Sequence, residues 1–127
     1  MQIYIIGIGV MGGAIAKNLT HKHRVYVYDR NPDKGKISGV VFDKSLKHLP
    51  LADFVIVAVK PQDVPELAMQ VQRLIQPSAV IISIAAGLKI TKLQKLFHHK
   101  KVVRVMPNLG LSVGLGIAAW KQGRLSA

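Results

Sequence analysis

The chain has 127 residues, half of them hydrophobic, with 11 Gly, 6 Pro, one Trp and no Cys. That length suits one domain, and the missing cysteines exclude thiol catalysis, cysteine-ligated metals and a disulfide scaffold. Eighteen Lys and Arg against six Asp and Glu leave a net charge of +12, which suits an anionic ligand such as a phosphate-bearing cofactor, and also a nucleic acid.

The opening segment Met1-Gln2-Ile3-Tyr4-Ile5-Ile6 lacks a basic flank and runs straight into glycines, so no signal peptide is expected there. The longest apolar run, 79–88, is about half of the ~20 residues a membrane span needs. A soluble, cytoplasmic chain without a membrane partner is expected. Short β-branched runs then recur at 3–6, 25–28, 40–42, 54–59, 80–84 and 102–106, with a weaker one at 116–119. Most are continuous rather than alternating, as strands covered on both faces are.

Helical stretches separate them. Residues 11–20 place Ala14, Ile15, Ala16 and Leu19 behind glycines. Val64, Leu67, Ala68, Val71, Leu74 and Ile75 repeat at three and four after an Asp63…Glu66 capping pattern, and Gln76-Pro77 stops that helix. Thr91…Gln94 has the form of a capping box opening a short helix whose inner face is Leu93, Leu96 and Phe97. Asn31-Pro32 and Lys60-Pro61 read as turns. Strands alternating with helices predict an α/β, Rossmann-like, doubly wound, mostly parallel sheet. It forms a single domain over 1–120, followed by a short polar tail at 121–127.

Gly7-Ile8-Gly9-Val10-Met11-Gly12 lies between the first strand and the first helix, and Asp29 ends the second strand 22 positions after Gly7. That context turns a weak glycine pattern into a dinucleotide-binding expectation. Gly7 makes the turn, Gly9 lets a pyrophosphate approach, and Gly12 packs helix on strand. Val10 and Met11 lie at the start of the helix, whose N-terminus favours the anion. At the second strand's end, Asp29 argues for the ribose hydroxyls of NAD and Arg30 for the 2′-phosphate of NADP. Asn31, Lys34 and Lys36 add donors, and this cationic setting tilts the reading slightly to NADP(H) over NAD(H).

Three further motifs follow in order: Ala58-Val59-Lys60-Pro61-Gln62, Ser83-Ile84-Ala85-Ala86-Gly87 and Arg104-Val105-Met106-Pro107-Asn108. With the glycine loop they make the chain resemble the N-terminal domain of the pyrroline-5-carboxylate reductases over about residues 2–119. Hydroxyacid dehydrogenases and coenzyme F420-dependent NADP reductases share the first motif, but the two later ones favour the pyrroline reductases. The resemblance implies hydride transfer from NAD(P)H to a cyclic imine, in proline biosynthesis. It puts Val59, Lys60 and Pro61 beside the cofactor ribose and nicotinamide, and makes Ala85, Ala86 and Gly87 the nicotinamide-side wall. Asn108 faces the reacting ring as the candidate catalytic residue. Plainer readings stand beside these: a strand-ending turn at Lys60-Pro61, a backbone bond for Ser83, and a turn at Asn108.

Two departures bear on the enzyme reading. Leu109-Gly110-Leu111 replaces the family's Thr-Pro-Ala, and the resemblance stops where a C-terminal helical dimerisation domain would begin. The expectation is therefore an NAD(P)H-binding domain of a pyrroline-5-carboxylate reductase-like oxidoreductase, incomplete as an enzyme on its own. The alternative is a non-catalytic dinucleotide-binding module. Self-association is expected through apolar residues 113–120. A nucleic-acid partner is not expected, because the basic stretches lack interleaved aromatics. Adjacent His98 and His99, with no carboxylate nearby, read as surface residues and not as a metal site.

Overall fold

Six short runs of β-branched and aromatic residues form parallel strands. They are β1 (Gln2–Ile6), β2 (Arg24–Tyr28), β3 (Val40–Phe42), β4 (Phe54–Val57), β5 (Val80–Ser83) and β6 (Val102–Met106). A seventh, β7 (Ala119–Gln122), pairs antiparallel with β6. The computed structural model describes residues 1–106 and 119–122, and its sheet has the order β3-β2-β1-β4-β5-β6-β7. Between β1 and β4 the direction of winding reverses. Ile6 lies level with Tyr28 on one side and Val57 on the other, so β1, β2 and β4 end along one line.

Among the described residues, three helices cover the two faces: α1 (Val10–Leu19), α2 (Val64–Val71) and α3 (Ile90–Phe97). Successive strand residues point to opposite sides. Ile3, Ile5, Val25, Val27 and Ile56 gather with Ala16 of α1. Tyr4, Ile6, Val55, Val57, Ile81 and Val102 gather with Val64, Leu67, Ala68 and Val71 of α2, and with Leu93 and Phe97 of α3. The expected doubly wound, mostly parallel sheet is thus present, and burial on both faces explains why its strands read as unbroken apolar runs.

Several boundaries differ from expectation, each for a local reason. α2 ends at Val71, although Leu74 and Ile75 still pack on the core from the following turn. The approach to Pro77 disfavours a helical Gln76, and Gln76 Nε2 donates to Ala52 O at 2.7 Å. Neither capping pattern forms. A 3-10 turn over Pro61–Asp63 feeds α2 directly, leaving Asp63 in helical backbone without a side-chain cap bond. α3 begins at Ile90 behind an extended Lys89, so Thr91 already lies inside the first turn, and Gln94 Nε2 donates to Lys100 O at 2.8 Å. His98 ends α3 at φ 49°, in the left-handed region. His99 is not the surface residue expected: it is buried, with Nε2 2.6 Å from Ala79 O.

At the sheet edge, Lys121 and Gln122 pair with Arg104 and Val103, so β7 runs past the domain boundary expected at residue 120. Of the weaker run at 116–119, positions 116–118 lie outside the described residues, as does most of the apolar 113–120 segment.

A buried polar group stands under β1 and β3. The Tyr4 hydroxyl donates to Asp43 Oδ2 at 2.9 Å, the His48 backbone N–H donates to the same oxygen at 2.9 Å, and His48 Nδ1 lies 3.3 Å from Asp43 Oδ1. The His48 ring stacks on Tyr26 at 4.4 Å. Burial by itself would raise the Asp43 carboxyl, but the bonds from His48 and Tyr4 outweigh it and hold the group below the usual carboxylate range. Burial first, and then the bond to Asp43, push the Tyr4 hydroxyl up.

Candidate functional site

Open α/β sheets bind ligands beyond the strand C-termini, where the winding reverses, and here that place is the gap between the ends of β1 and β4. Gly7 takes φ +98°, and a Cβ on it would lie 2.8 Å from the carbonyl carbon and oxygen of Ala58. Only glycine makes that turn against β4. Its N–H donates to Tyr28 O at 2.8 Å, while Ala58 N–H donates to Ile6 O at 2.8 Å. The loop is thereby tied to the strand on one flank and packed against the strand on the other. A Cβ on Gly12 would overlap Gly7 O, so α1 rests directly on the loop.

Gly9 is different. Its backbone (φ −82°) suits any residue, and a Cβ there would meet nothing within 4 Å. Neither conformation nor internal packing requires glycine at this position. The N–H groups of Val10, Met11 and Gly12 have no helical carbonyl one turn back to accept them; the ladder begins with Gly13 N–H, which donates to Gly9 O at 2.9 Å.

A cavity of about 240 Å³ opens in front of the loop. Four elements wall it: Gly7, Ile8 and Gly9; then Tyr28, Asp29, Arg30 and Lys34 at and after the end of β2; then Ala58, Val59 and Lys60 after β4; then Asp63 just before α2, with Leu67 and Gln70 along it. Of the predicted site residues, Gly7, Gly9, Asp29, Arg30, Val59 and Lys60 line it together. Val10, Asn31 and Pro61 are chain neighbours of lining residues without lining the cavity themselves, and Met11 and Gly12 lie farther along the first turn of α1. Ala85, Ala86 and Gly87 follow β5, which pairs with β4, and so sit farther along the same sheet edge. Asn108 lies outside the described residues.

The carboxylate of Asp29 accepts two backbone N–H groups: Ile8 to Oδ2 at 2.7 Å and Asn31 to Oδ1 at 2.9 Å. Asn31 Oδ1 in turn accepts from Asp33 N–H at 3.0 Å and caps the 3-10 turn Pro32–Gly35. Arg30 Nη2 reaches Glu66 Oε2 at 3.5 Å, with both side chains largely exposed. Such a pair is worth little and is readily exchanged. Lys36 pairs at the surface with Asp33 and takes no part in the cavity wall. Ser83 is fully buried and accepts Ala85 N–H at 3.3 Å, which is the plainer of its two readings.

Asp63, Leu67 and Gln70 were not anticipated as lining residues. Their spacing of four and three puts them on one stripe of a helix, but Leu67 is also core, and only the segment after β2 facing α2 makes that stripe a wall. Among the described residues, no three His, Asp or Glu side chains cluster as metal ligands do, and no helix is long and apolar enough to cross a membrane.

Comparison with known proteins gives a consistent picture. A family model described as NADP oxidoreductase, coenzyme F420-dependent, matches residues 2–87. A pyrroline-5-carboxylate reductase of Aquifex aeolicus is 37% identical over 127 residues, covering 94% of this chain and 47% of its own length. The structure of a Coxiella burnetii pyrroline-5-carboxylate reductase superposes with a TM-score of 0.86 at 26% identity, over 98% of this chain and 50% of that one. A Plasmodium falciparum pyrroline carboxylate reductase, solved with NADP bound, gives 0.85 at 24% identity over 100% of this chain and 50% of that one. The chain spans about half the length of the curated relatives it matches.

Proposed function

The chain belongs to this family of NADP oxidoreductases, and from that premise we propose that it is the NAD(P)H-binding domain of a pyrroline-5-carboxylate reductase-like oxidoreductase. One observation carries the proposal: Gly9 is spared any side chain although nothing in the protein crowds it. What needs that space comes from outside, and a diphosphate seated over the first turn of α1 fits both the opening and its N–H groups. The cavity is smaller than the roughly 300–1,000 Å³ of a site that encloses a whole small molecule. It suits the adenosine end of an elongated ligand, with the other end running along the sheet edge toward Ala85, Ala86 and Gly87.

Bound nicotinamide would supply a hydride for the carbon of a cyclic C=N bond; the protein's part is to hold and orient. The loop amides hold the diphosphate. Arg30 and Lys34 stand where a 2′-phosphate would lie, and Arg30 exchanges Glu66 for it at small cost. This favours NADP(H) slightly over NAD(H), in keeping with the cofactor in the Plasmodium relative. Val59 and Lys60 form the opposite wall, with Pro61 next in the chain, and Asn108 is proposed on the imine side. The lack of cysteine is compatible with a cytoplasmic setting.

The test is calorimetric titration of NADPH and NADH into the chain and its Gly9→Asp variant. The expected result is micromolar binding to the parent and none to the variant, with unchanged circular dichroism because the new side chain enters open space. Equal affinity in the two proteins would defeat the proposal. A second reading is binding without turnover. Imine-dependent oxidation of NADPH separates the two.

A further inference from the structure

We propose that Asp29 is a positioning residue that clamps the glycine loop to the turn after β2, and that it is not the group that reads the cofactor's ribose. The inference rests on the reading of the crevice as a dinucleotide site. A carboxylate at the end of the second strand would ordinarily be expected to face the ribose hydroxyls. Here both of its oxygens are turned to the chain's own amides. Ile8 N–H donates to Oδ2 at 2.7 Å and Asn31 N–H donates to Oδ1 at 2.9 Å. Bonds to a carboxylate are of the stronger kind; the first of these joins walls 21 residues apart in sequence, and the second braces the turn two residues on.

The consequences can be followed atom by atom. Ile8 N–H, held by Asp29, is directed to β2 and withdrawn from the set of amides that meets an anion, so the diphosphate falls to the N–H groups that open α1. The neighbouring Gly7 N–H is also held by β2, through Tyr28 O, so two successive amides fix the loop's position. On the other side, Asn31 N–H is held in place, and Asn31 O accepts Lys34 N–H at 3.1 Å. The turn that carries Lys34 into the cavity wall is therefore braced through the same carboxylate. One side chain sets the distance between the diphosphate cradle and the cations Arg30 and Lys34. Selection between a 2′-hydroxyl and a 2′-phosphate then belongs to those cations.

A positioning role and a ribose-reading role predict opposite outcomes. In Asp29→Asn the amide has one acceptor oxygen, and its NH2 must face the second backbone donor, so one of the two bonds is lost. Affinity for NADPH and NADH should fall together, about ten- to a hundredfold each, with their ratio unchanged within about twofold. Asp29→Glu keeps two acceptor oxygens and should recover part of both affinities in parallel. A loss confined to NADH, or a gain for NADPH, would overturn the proposal, and so would full retention of both affinities in Asp29→Asn.

A measurement on the free parent chain needs neither variant nor cofactor. Nuclear magnetic resonance should detect scalar coupling across the hydrogen bonds, from the Ile8 and Asn31 amide nitrogens to the Asp29 carboxyl carbon. Absence of both couplings overturns the clamp even if cofactors bind. Presence of the couplings in a chain that binds neither nucleotide would sink the proposed function while leaving the clamp in place.

Discussion

Three glycines in six residues are held for three different reasons, and the difference is measurable one residue at a time. Gly7 is required by its backbone, which takes a positive φ against the Ala58 carbonyl. Gly12 is required by contact, because a methyl group there would overlap Gly7 O. Gly9 is required by neither. Gly12→Ala should therefore destabilise the fold by about 1–3 kcal/mol, as overpacking does, with a lowered urea midpoint and an unchanged slope. Gly9→Ala should leave that midpoint nearly where it is. Equal destabilisation of the two would mean that α1 does not sit on the loop as described.

At the scale of elements, the Tyr4–Asp43–His48 group ties the first strand to the segment that follows β3. The sign of its pH dependence follows from Asp43 being held below its ordinary carboxylate value. Between that ordinary value, about 4, and the lower value in the fold, the unfolded chain binds more protons. The contribution is therefore complete above pH 4 and is lost as pH falls through the folded value. Asp43→Asn should lower stability near neutral pH by about 1–3 kcal/mol and flatten the acid limb of the stability curve. Denaturant titrations at a series of pH values check both, and an unchanged acid limb would contradict the assignment. Element types were legible from the sequence because apolar period and chain-breaking residues act locally. Capping was less so: whether Asp63 or Thr91 can cap depends on where the preceding backbone enters the helix, and a 3-10 turn and an extended Lys89 decided otherwise.

For the whole molecule, the +12 net charge bears on what the crevice attracts. The 2′-phosphate of NADPH adds roughly −1.5 to −2 charges, and on the proposed reading the exposed side chains of Arg30 and Lys34 would meet it through screened solvent. Raising ionic strength from about 0.05 to 0.5 M, where the Debye length falls severalfold, should weaken NADPH binding more than NADH binding and narrow the preference between them. Parallel losses would take the discrimination away from these two cations. The basic side chains Lys92 and Lys95 are on the exposed side of α3, away from buried Leu93 and Phe97, the arrangement of a solvated helix face.

The sequence by itself determined the order of strands and helices, the parallel doubly wound class and the position of the glycine loop. Each of these follows from residues within one turn or one strand of each other. It also brought Asp29, Arg30, Val59 and Lys60 to one sheet edge, because in a parallel sheet every strand ends on the same side. What only the tertiary structure decided is which groups face each other across that edge. Leu67 and Gln70 became cavity wall, the Asp29 carboxylate turned to the Ile8 and Asn31 amides, and Tyr4 found Asp43 thirty-nine residues away. Those pairings depend on strand register and on how closely helix and loop approach, quantities set jointly by the whole core and carried by no single stretch of the chain.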